Sequence, residues 1–103
     1  MNLKGRTAVV TGSTSGIGLA YARAFAGAGA NVVINGRGAA ADIEKARAGI
    51  EAEFKVKAAY SPADMTKPAE IAGMIELGET PFGSVDIIEF VMRSISIVPF
   101  ARR

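Results

Sequence analysis

The stretch Thr11-Gly12-Ser13-Thr14-Ser15-Gly16-Ile17-Gly18 directly follows the run Thr7-Ala8-Val9-Val10, and this join decides the fold. A buried strand ends at Val10, the chain turns on glycines, and a helix starts near Gly16. Such a turn aims backbone N–H groups and the positive end of a helix dipole at one point, where an anionic phosphate binds. Glycine-rich turns also occur simply to reverse a chain. Here the trio Gly12-x3-Gly16-x-Gly18 follows a strand and opens a helix, the context that a dinucleotide-phosphate turn requires.

Outward from this turn, Ile17, Ala20, Tyr21, Ala24 and Phe25 recur at helical spacing and predict one apolar face on a helix reaching about Ala28. Gly29 suits its C-terminal cap. Asn31 to Asn35 reads as a second strand, broken by Gly36-Arg37-Gly38. A second helix is expected from Ala40 to Phe54, with Ala46, Ile50 and Phe54 on one face, and a third strand from Val56 to Tyr60. After the loop Ser61 to Met65, Thr66 suits the N-cap of a third helix with Pro68 in its first turn. Ile71, Met74 and Ile75 give this helix its apolar face, and it is expected to fade by Gly78. The segment Glu79 to Ser84 reads as a loop, and Val85-Asp86-Ile87-Ile88 opens a fourth strand.

Alternating strands and helices predict an α/β fold with a parallel sheet and right-handed crossovers. The strand order expected is 3-2-1-4, the N-terminal half of a doubly wound (Rossmann) sheet. The 103 residues make one unit, without internal repeat or linker. There is no Cys and no His, which excludes a disulfide framework and thiolate or imidazole metal sites, and fits a cytoplasmic setting. A net charge of +2 gives no case for nucleic acid as a partner, and no apolar run approaches the roughly 20 residues of a membrane-spanning helix. The start, Met1 to Arg6, enters a strand at once, so no signal peptide is expected.

The octet Thr11 to Gly18 resembles the cofactor turn of the short-chain dehydrogenases/reductases, Thr-Gly-x-x-x-Gly-x-Gly. The likeness extends from Lys4 to about Ile88 through Gly29 to Val33, Ala63-Asp64-Met65 and Gly83 to Ile87. Within the family, Asn35-Gly36, Ile43-Glu44-Lys45 and Arg47-Ala48-Gly49 are most similar to 3-hydroxybutyrate dehydrogenases. The resemblance implies that Gly12, Gly16 and Gly18 shape the pyrophosphate turn, with Ser13, Thr14, Ser15 and Ile17 around it. It implies that Asp64 bonds the adenine amino group and that Met65 backs the ring through its main chain. Read from the residues alone, the rival for Asp64 is a loop carboxylate helping to cap the next helix.

Cofactor choice between NAD and NADP is made where the second strand ends, since a carboxylate there repels a 2′-phosphate and a base attracts it. Gly36 takes the acidic position and Arg37 follows, which leans to NADP, or leaves Arg37 a solvated loop residue. The likeness to hydroxybutyrate dehydrogenases implies NAD.

The same resemblance implies a catalytic serine and a Tyr-x-x-x-Lys further along than this chain extends. Tyr21 and Tyr60 are the only tyrosines, each lacks a lysine four residues on, and both read as packing residues. No catalytic residue is assigned. From Glu89 to Arg103 the sequence departs from the family's Asn-Asn-Ala-Gly, and the tail reads as a translated frameshift. A reading frame one base earlier permits asparagine and alanine at positions 91 and 92. The rival reading is a genuine hydrophobic strand with a basic end. Either way the fourth strand is expected to be an open edge, prone to self-association. The family's usual oligomer, built on later helices, is not expected. Three readings follow. The first is a fragment of an NAD(P)-dependent oxidoreductase, hydroxybutyrate dehydrogenase-like or 3-oxoacyl-carrier-protein reductase-like, inactive by itself. The others are a non-catalytic nucleotide-binding module and a product without function.

Overall fold

The computed structural model describes residues 2–82, 85–89 and 100–101. Its strands are β1 (Thr7–Val10), β2 (Asn31–Asn35), β3 (Ala58–Ser61), β4 (Ile87–Glu89) and β5 (Phe100–Ala101). The helices are α1 (Gly16–Gly27), α2 (Ala40–Phe54) and α3 (Pro68–Phe82). The sheet order is β3-β2-β1-β4-β5. β1 to β4 run parallel, as the alternation of elements predicts, and β5 is antiparallel to β4.

β1 lies between β2 and β4 and all four of its residues are buried, so it shows no polar alternation. Successive residues of the strands feed opposite faces of the sheet. Ala8, Val10, Val32 and Ile34 meet Ala22 and Ala26 of α1 and Ile43 and Ile50 of α2. Val9 and Val33 meet Met74 of α3 and Val85. Two helices thus cover one face and one covers the other, which places the C-terminal ends of β1, β2 and β3 side by side.

The helices differ from expectation in informative ways. The side of α1 turned to the sheet carries Gly18, Ala22 and Ala26. Of the face read from spacing, Ile17, Ala20, Tyr21 and Ala24 line a shallow outward groove, with Ile17 53% exposed, while Tyr21 and Phe25 also pack against the core. Small residues win the inner side because α1 lies too close to the sheet for larger ones. Helix α1 ends in a Schellman motif, with Gly29 N–H donating to Ala26 O and Ala30 N–H to Phe25 O.

Thr66 does not cap α3. Its hydroxyl and N–H both donate to Asp64 Oδ1, at 2.7 and 2.8 Å, and α3 begins two residues later at Pro68. Helix α3 also continues past Gly78 to Phe82, where a loop was expected. Gly78 is a packing glycine: a Cβ there would lie 2.8 Å from Val85 Cγ2 and 3.3 Å from Val33 Cγ2.

Strand β3 starts two residues later than expected, after Lys55 ends α2 in a left-handed conformation. It is an edge strand, and α2 guards it. The Ala58 N–H donates to Glu51 Oε2 at 3.0 Å, and Arg47 Nη1 donates to the Ala58 carbonyl at 3.0 Å. Arg47 is itself held by Glu44 and Glu51. Both outward groups of Ala58 are therefore occupied, which blunts the edge against other chains. On the opposite side the expected open edge of β4 is covered, because β5 pairs with Ile87 and Ile88. The intervening stretch 90–99, which holds most of the divergent tail, lies outside the described residues.

Candidate functional site

The glycine turn sits at the C-terminal end of the central strand β1. Gly12 and Gly16 both have φ of +58°, and between them the chain reverses into α1. Gly18 is fixed by close approach: a Cβ there would lie 1.9 Å from the Gly12 carbonyl oxygen. The first turn of α1 therefore lies directly against the start of the glycine turn. Ser15 precedes the helix in extended conformation and makes no side-chain cap, and no acidic residue occupies the first turn. The amino end of α1 keeps its positive field for an outside anion.

Ser13 departs from the role that the resemblance implies. It is fully buried, and its hydroxyl donates to the Val10 carbonyl and accepts from Asn35 N–H at 2.9 Å. Its own N–H donates to the Asn35 carbonyl. Ser13 holds the turn down while Thr14, Ser15 and Gly16 stay at the surface. The Thr14 hydroxyl donates to the Arg37 carbonyl at 2.9 Å, so the turn also grips the segment after β2. Gly36 there has φ of +153°, and a Cβ on it would lie 2.6 Å from Thr14 Oγ1. Ile17 faces the outer groove of α1 and not the turn.

Asn35 is the organising residue that reading along the sequence valued only as part of a subgroup match. It is 2% exposed. Its Oδ1 accepts from Gly12 N–H at 3.2 Å, while its Nδ2 donates to the carbonyls of Ser61 at 3.1 Å and Ala63 at 3.0 Å. The signal for it was present: an amide closing a buried apolar strand needs partners for both ends of its side chain.

Beyond β3, Asp64 stands at the surface with Oδ1 engaged by Thr66. The Thr66 N–H and hydroxyl hold its carboxyl below the usual range, with help from Lys67 and Arg37. Arg37 is exposed, so a cation and an anion stand on neighbouring loops at this end of the sheet. Met65 packs its side chain against the core beneath α3. Tyr60 packs against the other core and donates its hydroxyl to the Gly36 carbonyl at 2.7 Å. Among the described residues there is no cluster of acidic side chains able to hold a metal ion, and no helix is long and apolar enough to cross a membrane.

The loops after β1, β2 and β3 thus converge into one surface: a helix amino end and a glycine turn, a basic segment, and an acidic loop. An anionic, extended ligand fits this arrangement, at the crevice beyond the carboxyl ends of parallel strands.

Residues 6–91 match the family model described as short chain dehydrogenase. The chain is 49% identical over 83 residues to D-beta-hydroxybutyrate dehydrogenase of Rhizobium meliloti, covering 81% of this chain and 32% of that protein. It is 47% identical over 87 residues to the D-beta-hydroxybutyrate dehydrogenase of Cupriavidus necator, covering 84% and 33%. Among solved structures, L-sorbose reductase from Gluconobacter frateurii, complexed with NADPH and L-sorbose, superposes with a TM-score of 0.77 at 34% identity, over 85% of this chain and 33% of that one. A short chain dehydrogenase from Burkholderia cenocepacia in complex with NADP gives 0.78 at 34% identity, over 85% and 36%. The chain spans about a third of the length of these relatives. With the glycine turn, the strand order and the matched residues in agreement, the chain belongs to the short-chain dehydrogenase family.

Proposed function

We propose that this chain is the cofactor-binding part of an NAD(P)-dependent dehydrogenase similar to 3-hydroxybutyrate dehydrogenase, and that it binds the adenosine and pyrophosphate portions of the dinucleotide. The observation that carries this reading is the pinned glycine turn, with Gly18 pressed on the Gly12 carbonyl and the uncapped start of α1 above it. The turn would hold the pyrophosphate, and the Asp64 loop the adenine. The cofactor, when bound, supplies the hydride acceptor or donor for a secondary alcohol or its ketone.

The chain's own residues account for binding alone. Neither tyrosine is followed by lysine at the fourth position, and Tyr60 spends its hydroxyl on a loop carbonyl. The proton-transfer chemistry belongs to sequence that this chain does not contain, so the isolated chain is inactive. On this reading residues 1–88 form the family-like part and 89–103 the divergent tail, the family match itself ending at residue 91. The end of β2 carries no carboxylate to repel a 2′-phosphate, and Arg37 stands exposed beside it. This favours acceptance of NADP, while the hydroxybutyrate dehydrogenase likeness favours NAD; a clear NADP preference supports a 3-oxoacyl-carrier-protein reductase-like lineage.

The test is thermal unfolding of the purified chain in the presence of NAD and of NADP. A ligand at a hundred times its Kd stabilises the folded state by about 2.7 kcal/mol. A raised midpoint with either dinucleotide is expected. A folded chain indifferent to both sinks the proposal, and alcohol oxidation by the clean protein contradicts the loss of catalysis.

A further inference from the structure

The side chain of Asn35 bonds two separate segments at once: the glycine turn and the loop leaving β3. Its carbonyl end accepts from Gly12 N–H, the first amide of the turn, and its amino end donates to the carbonyls of Ser61 and Ala63, directly before Asp64. On the dinucleotide reading, these segments hold opposite portions of one ligand. We propose that Asn35 is a positioning residue that clamps the pyrophosphate turn to the adenine loop, so that both parts of the dinucleotide site keep a fixed separation. The inference rests on the proposed cofactor binding and adds what sets the geometry of that site.

Only a primary amide of this length meets the demand. The same side chain must accept at one end and donate twice at the other, 2% exposed and beyond the reach of bulk water. A carboxylate keeps the bond to Gly12 but faces the two carbonyls with a second negative oxygen. A leucine has similar volume and makes none of the three bonds. Ser13 bonds only the main chain of Asn35, so β2 stays tied to the turn when the side chain changes. The backbone ladder still pairs Asn35 with Ser61, and what is lost is the side-chain tie from the turn to the Ser61 and Ala63 carbonyls at the start of the loop. Free of that link, the two loops sample several separations, and a dinucleotide must select one.

The full chain and its Asn35→Asp and Asn35→Leu variants are titrated with NAD and NADP by calorimetry, at a temperature where circular dichroism shows each folded. At pH 8 both variants are expected to bind the preferred dinucleotide about ten- to a hundredfold more weakly than wild type. On acidification to pH 5 the introduced carboxyl of Asn35→Asp, buried against two carbonyls, takes up a proton and becomes a donor again. Its affinity recovers, whereas that of Asn35→Leu does not. The titratable groups on the surrounding segments, Arg37, Tyr60 and Asp64, are common to all three proteins, so wild type controls for them.

A merely structural role lowers the unfolding midpoint and leaves the affinity of the folded protein unchanged. Wild-type affinity in folded Asn35→Leu, or a flat pH profile for Asn35→Asp, overturns the proposal. Wild type that binds neither dinucleotide overturns the parent reading instead. Should the variants not fold, solvent exchange of the Asn35 side-chain amide protons in wild type gives the answer by nuclear magnetic resonance. They are expected to exchange more slowly than those of exposed Asn2, and more slowly still with dinucleotide bound. Equal rates, or rates unmoved by saturating ligand, overturn the clamp.

Discussion

Replacing Gly18 by alanine sets two effects of opposite sign against each other. Gly18 lies in the first turn of α1, where alanine gains about 1 kcal/mol of helix propensity over glycine. The added Cβ would lie 1.9 Å from Gly12 O, 2.6 Å from Gly12 C and 2.9 Å from Ser13 Cα, all of them backbone atoms that cannot rotate away. Restoring an ordinary contact requires α1 and the turn to part by about 1.5 Å or more in an interior packed as densely as a crystal. That places the cost at about 4 kcal/mol or more, among the large single-residue effects. A small domain has about 5–15 kcal/mol in total, so the clash wins over the propensity gain and most of the stability goes. Gly16→Ala is the internal control: it has a φ of +58° but nothing within 4 Å of the added Cβ, so it costs only the left-handed penalty of about 1–2 kcal/mol. Urea denaturation followed by circular dichroism ranks the two. Stability of Gly18→Ala equal to or above that of Gly16→Ala refutes the close approach, and with it the argument that α1 is pressed onto the turn.

Three further changes test other parts. Gly36→Asp, the obvious way to install a ribose-binding carboxylate, is expected to lower the thermal midpoint by several degrees, since its Cβ meets Thr14 Oγ1 at 2.6 Å; adding Thr14→Ala should recover part of the loss, and an undiminished single variant refutes the contact. Thr7→Val should raise the midpoint by the equivalent of about 1 kcal/mol, because the buried Thr7 hydroxyl has no hydrogen-bond partner among the described residues; a drop would reveal one. Arg47→Met removes the donor to the Ala58 carbonyl and is expected to cost about 1–2 kcal/mol at neutral pH after allowance for solvent screening. The Ala58 N–H, and then Arg47, hold the Glu51 carboxyl below its ordinary 4.5, so the contribution of Glu51 is fully present above that value and lost as pH falls through the lower folded value. The stability difference between wild type and Arg47→Met should therefore shrink on acidification, and a difference constant from neutral to strongly acidic pH refutes the Glu51–Arg47 guard on Ala58.

The strand order was legible because β1 and β2 are short apolar runs at regular spacing, each followed by a glycine break and a helix. The bounds of β2 and α2 follow from Asn31, Asn35 and the breaker at Gly36 to Gly38, and agree with the structure residue for residue. Glycines in helices were less legible. Gly29 ends a helix and Gly78 does not, and the difference lies in Val33 and Val85, which no local pattern reveals. Thr66 looked like a cap, but Asp64 two residues earlier competes for its hydroxyl and wins with a carboxylate. At the site, the glycines announced themselves, whereas Asn35 did not. Its partners lie 23 to 28 residues away in sequence, and only the fold brings them together.

The face of α1, read correctly at Tyr21 and Phe25 but not at Ile17, Ala20 and Ala24, ties fold to site. Spacing cannot select the inner side of a helix whose residues are apolar almost all round, because every side offers a plausible stripe. What selects it is the distance at which the helix must lie. The turn brings the amino end of α1 into backbone contact at Gly12, and a helix that starts so close can continue along the sheet only on a small-residue side. Gly18, Ala22 and Ala26, spaced one turn apart and all buried, are that side. The third glycine of the phosphate turn is therefore also the first residue of the packing stripe. Enlarging Ala22 should for this reason disturb ligand binding as well as the core, although it touches neither the turn nor the loops, because tilting α1 off the sheet moves the one positive helix end that the turn presents.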